Sequence, residues 1–159
     1  MTIEFRPGGV IGTPFTKTEG VPIQPAAAVG VRGTAEVFAE YRSGLNDLDG
    51  FSHIILPYHF HRSHGFPLAV VPFLDVEPRG LIATRAPKRP NAIGLSLVQL
   101  DKIDNGGLQI QNVDILDGTP LPDIKPYVPE VDAAADVRTG RVQNATRTLS
   151  RQESDDRFT

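Results

Sequence analysis

None of the 159 residues is a cysteine. Thiolate catalysis, disulfides and cysteine-ligated zinc are therefore excluded, and a reducing compartment is compatible with the chain. No segment approaches the ~20 apolar residues of a membrane-spanning helix. The start, MTIEFRPGGV, lacks the apolar core of a signal peptide. The expectation is a cytoplasmic protein with no membrane partner. The net charge at pH 7 is -3, which argues against a broad basic face, so any contact with nucleic-acid phosphates has to be local. The common nucleotide loops are also missing. There is no Walker A sequence and no strand-bounded GxGxxG, and Gly30-Val31-Arg32-Gly33 is too short to replace one. H-E-x-x-H and nucleophile-elbow patterns do not occur. A Rossmann methyltransferase and the familiar hydrolases lose support.

What the chain has is turn formers and short apolar runs. Fifteen glycines and fourteen prolines punctuate a sequence that is 40% hydrophobic, a pattern that favours strands over helices. The expected fold is all-β or β-dominated, a small barrel or sandwich. Residues 3–15 read as a first strand interrupted by Pro7, Gly8, Gly9 and Gly12. Residues 33–38 read as a short strand, 41–50 as a turn or brief helix, and 51–60 as a central strand. Further strands are expected at 68–73 and 81–84. Segments 95–103 and 108–113 alternate around Asp104-Asn105-Gly106-Gly107, the composition of a hairpin turn. From residue 132 the chain carries five Arg and five acidic residues with few large apolar ones. The division is thus a barrel domain over 1–131 and a polar arm or tail over 132–159, able to pack on a partner subunit.

The most informative stretch is ATRAPKRPNAIGLSLVQL, residues 83–100. Pro87 and Pro90 stiffen the backbone, so Arg85, Lys88 and Arg89 read as cations presented for an anion. Gly94 permits a close backbone approach just before the chain enters the core. The same composition also describes a plain basic linker between strands.

Two other groups of residues carry chemistry. His53, His59, His61 and His64 fall within twelve residues, and His59 and His61 share a strand face. No acidic residue sits among them to orient metal ligands, so a metal site is weakly supported, and His53 reads as a core or interface residue. Asp114, Asp117 and Asp123 flank the turn Gly118-Thr119-Pro120. Asp-Gly at a turn is ordinary structural chemistry, but beside a nucleoside the same amides and carboxylates bind base edges and hydroxyls.

ATRAPKRPNAIGLS, together with LDGFSHIILPYHFH at 48–61 and LDGTPLPDIKPYVP at 116–129, resembles the TrmO family, also called YaeB or TsaA-like. The order and spacing of the three blocks match too, over most of residues 8–130. The resemblance implies a small non-Rossmann β-barrel that binds S-adenosylmethionine at a homodimer interface. It further implies methylation of the exocyclic nitrogen of threonylcarbamoyladenosine beside the tRNA anticodon. By that resemblance the cofactor residues are Pro22, Ile23, Gln24, His61, Arg62, Arg85, Leu95, Leu116, Asp117, Gly118 and Thr119. Arg85 is suited to the cofactor's carboxylate. Asp117 is the motif carboxylate nearest to hand for the proton that leaves the nitrogen, with Tyr127 or Asn91 as groups to orient the acceptor. Lys88 and Arg89 are the expected RNA contacts. Ile23 stands where the family usually has Arg, Arg62 where Gln is common, and Ala92 where Pro is common. A regulatory barrel that binds S-adenosylmethionine without turnover is the alternative, and a cupin-like metal enzyme using the histidines is a second.

Overall fold

The computed structural model describes residues 1–22, 27–73 and 75–142. Nine strands follow in chain order: β1 (Gly9–Gly12), β2 (Arg32–Val37), β3 (His53–His59), β4 (Ala69–Val70), β5 (Arg79–Gly80), β6 (Ile93–Asp104), β7 (Gly107–Gln111), β8 (Thr119–Leu121) and β9 (Lys125–Pro126). Seven of them form one sheet, in the order β8-β1-β2-β7-β6-β3-β9. Every pairing in it is antiparallel. At one edge β8 returns against β3, so the sheet curls into a half-barrel around the main core, with Val70, Leu81 and Ala86 as a separate small cluster. An all-antiparallel curled sheet has none of the crossover helices of a Rossmann fold. The non-Rossmann, β-dominated expectation agrees with the architecture.

Alternation builds the core. Ile54, Leu56 and Tyr58 of β3 face inward opposite Val98, Ser96 and Gly94 of β6, as a half-buried antiparallel sheet requires. Ile11, Leu108, Ile110 and Leu121 complete the same cluster. The hairpin expected between residues 95–103 and 108–113 is β6–β7. Its two-residue turn, Asn105–Gly106, has positive φ at both positions (47° and 84°), the geometry that matches strand twist. A Cβ on Gly106 would also collide with the Arg42 side chain, which donates from Nε to the Val37 carbonyl at 3.1 Å.

The outer face of β6 breaks the usual rule. Ile93, Leu95 and Leu97 point outward at 48%, 55% and 37% exposure, paired with His59, Pro57 and Ile55 of β3. An apolar stripe on the face that should be polar marks a surface built to be covered.

Several sequence expectations need correction. Residues 81–84 are not a strand: Leu81–Ala83 is a single 3-10 turn, with the Thr84 amide bonded to the Leu81 carbonyl. The strand in that region is the short β5 just before it. The strand expected over 68–73 shrinks to β4, two residues long, because Pro67 and Pro72 bracket it. The expected central strand, β3, lies one place in from the β9 edge. The turn or brief helix at 41–50 is a pair of 3-10 helices, Ala39–Leu45 and Leu48–Gly50. A helical turn at Pro129–Asp132 spans the start of the arm, a 3-10 turn at Gly140–Val142 lies within it, and residues 143–159 lie outside the described residues.

Candidate active site

The site grows from a ribbon, residues 113–119, that leaves the hairpin and re-enters the sheet as β8. It lies along the end of β1, where the Asp117 amide donates to the Phe15 carbonyl at 2.8 Å and the Gly118 amide to the Ile11 carbonyl at 2.9 Å. Thr13 closes the arrangement: its amide donates to Asp117 Oδ1 at 2.9 Å and its hydroxyl to the Ile115 carbonyl at 2.7 Å. Asp117 is therefore a clamp on the turn between residues 13 and 15.

On the other side of the ribbon stand His61 and Arg62, just past β3. Thr119 Oγ1 donates to the Leu116 carbonyl at 2.7 Å and lies 3.2 Å from His61 Nδ1. A hydroxyl has one proton, and it goes to Leu116, so Nδ1 must carry its own hydrogen and Nε2 is left as an acceptor. Burial, then the electrostatic influence of Arg62 and of His59, hold His61 below the usual histidine value. The neutral imidazole is thus favoured at neutral pH. Arg62 Nη1 donates to the Thr16 carbonyl at 3.2 Å. His61, Arg62, Leu116, Asp117, Gly118, Thr119 and the end of β1 form one assembly.

Arg85 acts on the start of the ribbon. Its guanidinium is exposed and makes no ion pair among the described residues, yet its charge reaches both Asp114 and Tyr58. Those two belong to a polar chain under β6: Ser96 Oγ donates to Asp114 Oδ1 at 2.6 Å and lies 3.4 Å from the Tyr58 hydroxyl. Burial pushes Asp114 up to about 6, while the Ser96 hydrogen bond and Arg85 oppose the shift. Burial, and then the neighbouring Asp114, push the Tyr58 hydroxyl upward as well.

The remaining sequence-assigned residues fall as follows. Leu95 sits on the outward apolar stripe, next in sequence to Ser96, which points inward. Pro22 is buried in an isolated bridge. Ile23 and Gln24 lie outside the described residues. Arg89 does not stand out into solvent as a presented cation. Its Nη1 donates to the Thr84 carbonyl at 2.8 Å, with the Leu81 and Ala86 carbonyls at 3.4 and 3.5 Å, which makes it the internal tie of its own loop. Lys88 is half-buried. Among the described residues, the histidines do not gather with carboxylates into a set able to hold a metal. A cleft of about 260 Å³ between Leu45, Leu48, Phe51 and Ile124 includes none of the assigned residues.

Sequence reasoning overlooked Ser96, Tyr58 and Thr13, and took Asp114 only as a turn flank. One signal was available. The alternation that buries Val98 and Leu100 also buries Ser96, and a hydroxyl on the core face needs a polar partner.

Comparison with known proteins decides the family. The model for the tRNA-methyltransferase O N-terminal domain matches residues 10–133. This chain belongs to the TrmO family. A probable S-adenosyl-L-methionine-binding protein of Pyrococcus abyssi is 49% identical over 99% of this chain and 86% of its own length. A human tRNA (adenine(37)-N6)-methyltransferase is 33% identical over 94% of this chain, but only 37% of the human protein is covered. The crystal structure of TrmO from Pseudomonas aeruginosa superimposes with a TM-score of 0.75 at 38% identity, over 89% of this chain and 63% of that one. The chain therefore spans less than two thirds of the TrmO structure it resembles.

Proposed function

We propose that this TrmO-family chain binds S-adenosylmethionine at the ribbon and transfers its methyl group to the exocyclic nitrogen of threonylcarbamoyladenosine beside a tRNA anticodon. The observation that carries the reading is the coincidence of the family match with the assembly of His61, Arg62 and residues 116–119. The donor set fits the cofactor's chemistry. The acceptor Nε2 of a neutral His61 suits an adenine amino group. The exposed Arg85, which makes no ion pair among the described residues, suits an amino-acid carboxylate, which it can grip with two parallel hydrogen bonds. Leu116, Asp117, Gly118 and Thr119, with Pro22, Ile23, Gln24 and Leu95, are the further cofactor contacts that the family resemblance implies. When bound, S-adenosylmethionine supplies an electrophilic methyl on a sulfonium. The chain's own contribution is alignment of the acceptor, and positioning can supply ~7–11 kcal/mol of such a barrier.

A homodimer is part of the proposal. The apolar stripe of Ile93, Leu95 and Leu97 carries a cofactor residue, Leu95, and a second copy covering it would bring that residue into a shared site. RNA contact falls to Lys88 and to the loop that Arg89 ties. With a net charge of -3, two such loops on one dimer surface are the economical way to meet phosphates.

The test is transfer of labelled methyl from S-adenosylmethionine to bulk tRNA by the purified protein. Label recovered in an adenine-derived nucleoside is expected. A second reading, a barrel that senses S-adenosylmethionine, is favoured by the name of the Pyrococcus relative, which refers to binding alone. Tight cofactor binding with no transfer to any RNA would establish it.

A further inference from the structure

We propose that Asp114 is the group that takes the proton from the acceptor nitrogen, an inference that rests on the methyltransferase reading above. Three carboxylates lie on or near the ribbon, and two of them are committed to a neighbouring backbone segment or a cation. Asp117 Oδ1 is held by the Thr13 amide at 2.9 Å. Asp123 pairs with Lys125 at 2.7 Å and with the Ile124 amide at 2.8 Å. Asp114 receives hydrogen bonds from the Ser96 hydroxyl at 2.6 Å and from its own backbone amide, ties no other segment's backbone, and makes no ion pair among the described residues. It lies in a mostly buried setting that still leaves part of its surface open, within electrostatic reach of Arg85.

Its neighbours suit the task. Tyr58 faces it from β3 and Ser96 from β6, and among the described residues the full charge that acts on it is the positive Arg85 of the loop over 81–92. A carboxyl raised to about 6 is ionised at neutral pH and far more basic than an ordinary aspartate. As the nitrogen bonds to the methyl carbon, the carbon–sulfur pair returns to sulfur, leaving a neutral thioether. The N–H pair stays on nitrogen while its proton passes to the Asp114 carboxylate. The carboxylic acid then releases that proton to water.

The experiment is a pH profile of kcat with tRNA at saturating S-adenosylmethionine, for wild type, Asp114→Asn and Ser96→Ala, alongside calorimetric cofactor binding. A carbon NMR titration of the Asp114 carboxyl in the protein alone accompanies it. Wild type should lose kcat tenfold per pH unit below about 6, and the carboxyl should titrate at the same pH. Asp114→Asn should lower kcat by about 10²- to 10⁴-fold and abolish the acid limb, with cofactor affinity held within about threefold. In Ser96→Ala the limb should move to higher pH, because the lost hydrogen bond stabilised the carboxylate. An acid limb that survives in Asp114→Asn belongs to His61 and overturns the proposal. So does a variant that keeps kcat but loses cofactor binding, or a carboxyl that titrates near pH 4. If wild type transfers no methyl to any RNA, the methyltransferase reading fails, and this role fails with it.

Discussion

Adding one methyl group at Gly94 should cost more than its size suggests. Gly94 pairs with Tyr58 across β3 and β6. A Cβ there would lie 2.3 Å from both Cε2 and Cζ of the Tyr58 ring and 2.8 Å from its hydroxyl. The ring is nearly fully buried and packs edge-on against Phe60 with centroids 5.2 Å apart, so it cannot yield without disturbing the core. Overpacking of this kind costs typically 1–3 kcal/mol, and two contacts this close place Gly94→Ala at about 2–3 kcal/mol. For a chain of this length that lowers Tm by about 4–12 °C. Gly80→Ala is the control, since Gly80 has an ordinary φ of -56° and a Cβ there meets nothing within 4 Å; it should shift Tm by less than about 1 °C. Displacing the ring also parts its hydroxyl from Ser96, so methyl transfer by Gly94→Ala should fall more than cofactor binding does. Scanning calorimetry of the two variants decides the matter. Equal Tm values would refute the reasoning that Gly94 exists to admit the Tyr58 ring.

Removing the internal tie of the basic loop by Arg89→Ala should destabilise the protein by about 1.5–3 kcal/mol, and Arg89→Lys should recover only part of it, because three carbonyls converge on one guanidinium nitrogen; thermal melts and amide exchange over 81–92 read this out. Asp114 gives a stability effect of unusual sign: its folded value of about 6 lies above the ordinary 3.8, so ionisation weakens the fold as pH rises from about 4 through 6. Asp114→Asn should therefore stabilise by about 1–3 kcal/mol at pH 8 and by nothing at pH 4, in melts across that range. Arg85→Ala should weaken S-adenosylmethionine binding about tenfold to a hundredfold by calorimetry, with Tm unchanged, since Arg85 is exposed and makes no ion pair among the described residues.

The sheet was readable because its strands alternate and its turns carry the residues that turns demand. Asn105–Gly106 with Leu108 and Ile110 beyond it admits little but a hairpin. Leu81–Ala83 was misread because three apolar residues look alike in a strand and in a 3-10 turn. The Thr84 amide and hydroxyl, which both fold back to the Leu81 carbonyl at 3.0 and 2.8 Å, distinguish the two, and these are local contacts invisible to periodicity. The motif residues of the ribbon could be named from the sequence, but not their division of labour. That Asp117 is held by the Thr13 amide while Asp114 takes the Ser96 hydroxyl depends on contacts spanning 104 positions in the first case and 18 in the second. Arg89 misled for a related reason: a cation in a proline-rich loop reads as presented, and its inward turn follows from loop carbonyls that no strand partner satisfies.

The central claim is transfer to a particular base, and one measurement meets it directly. The protein is incubated with methyl-labelled S-adenosylmethionine and two preparations of the same tRNA, one carrying threonylcarbamoyladenosine beside the anticodon and one lacking it, followed by mass analysis of the digested nucleosides. The account predicts a single added methyl on threonylcarbamoyladenosine in the first preparation and no label in the second. Label appearing equally in both, or in neither while the cofactor binds, would contradict it.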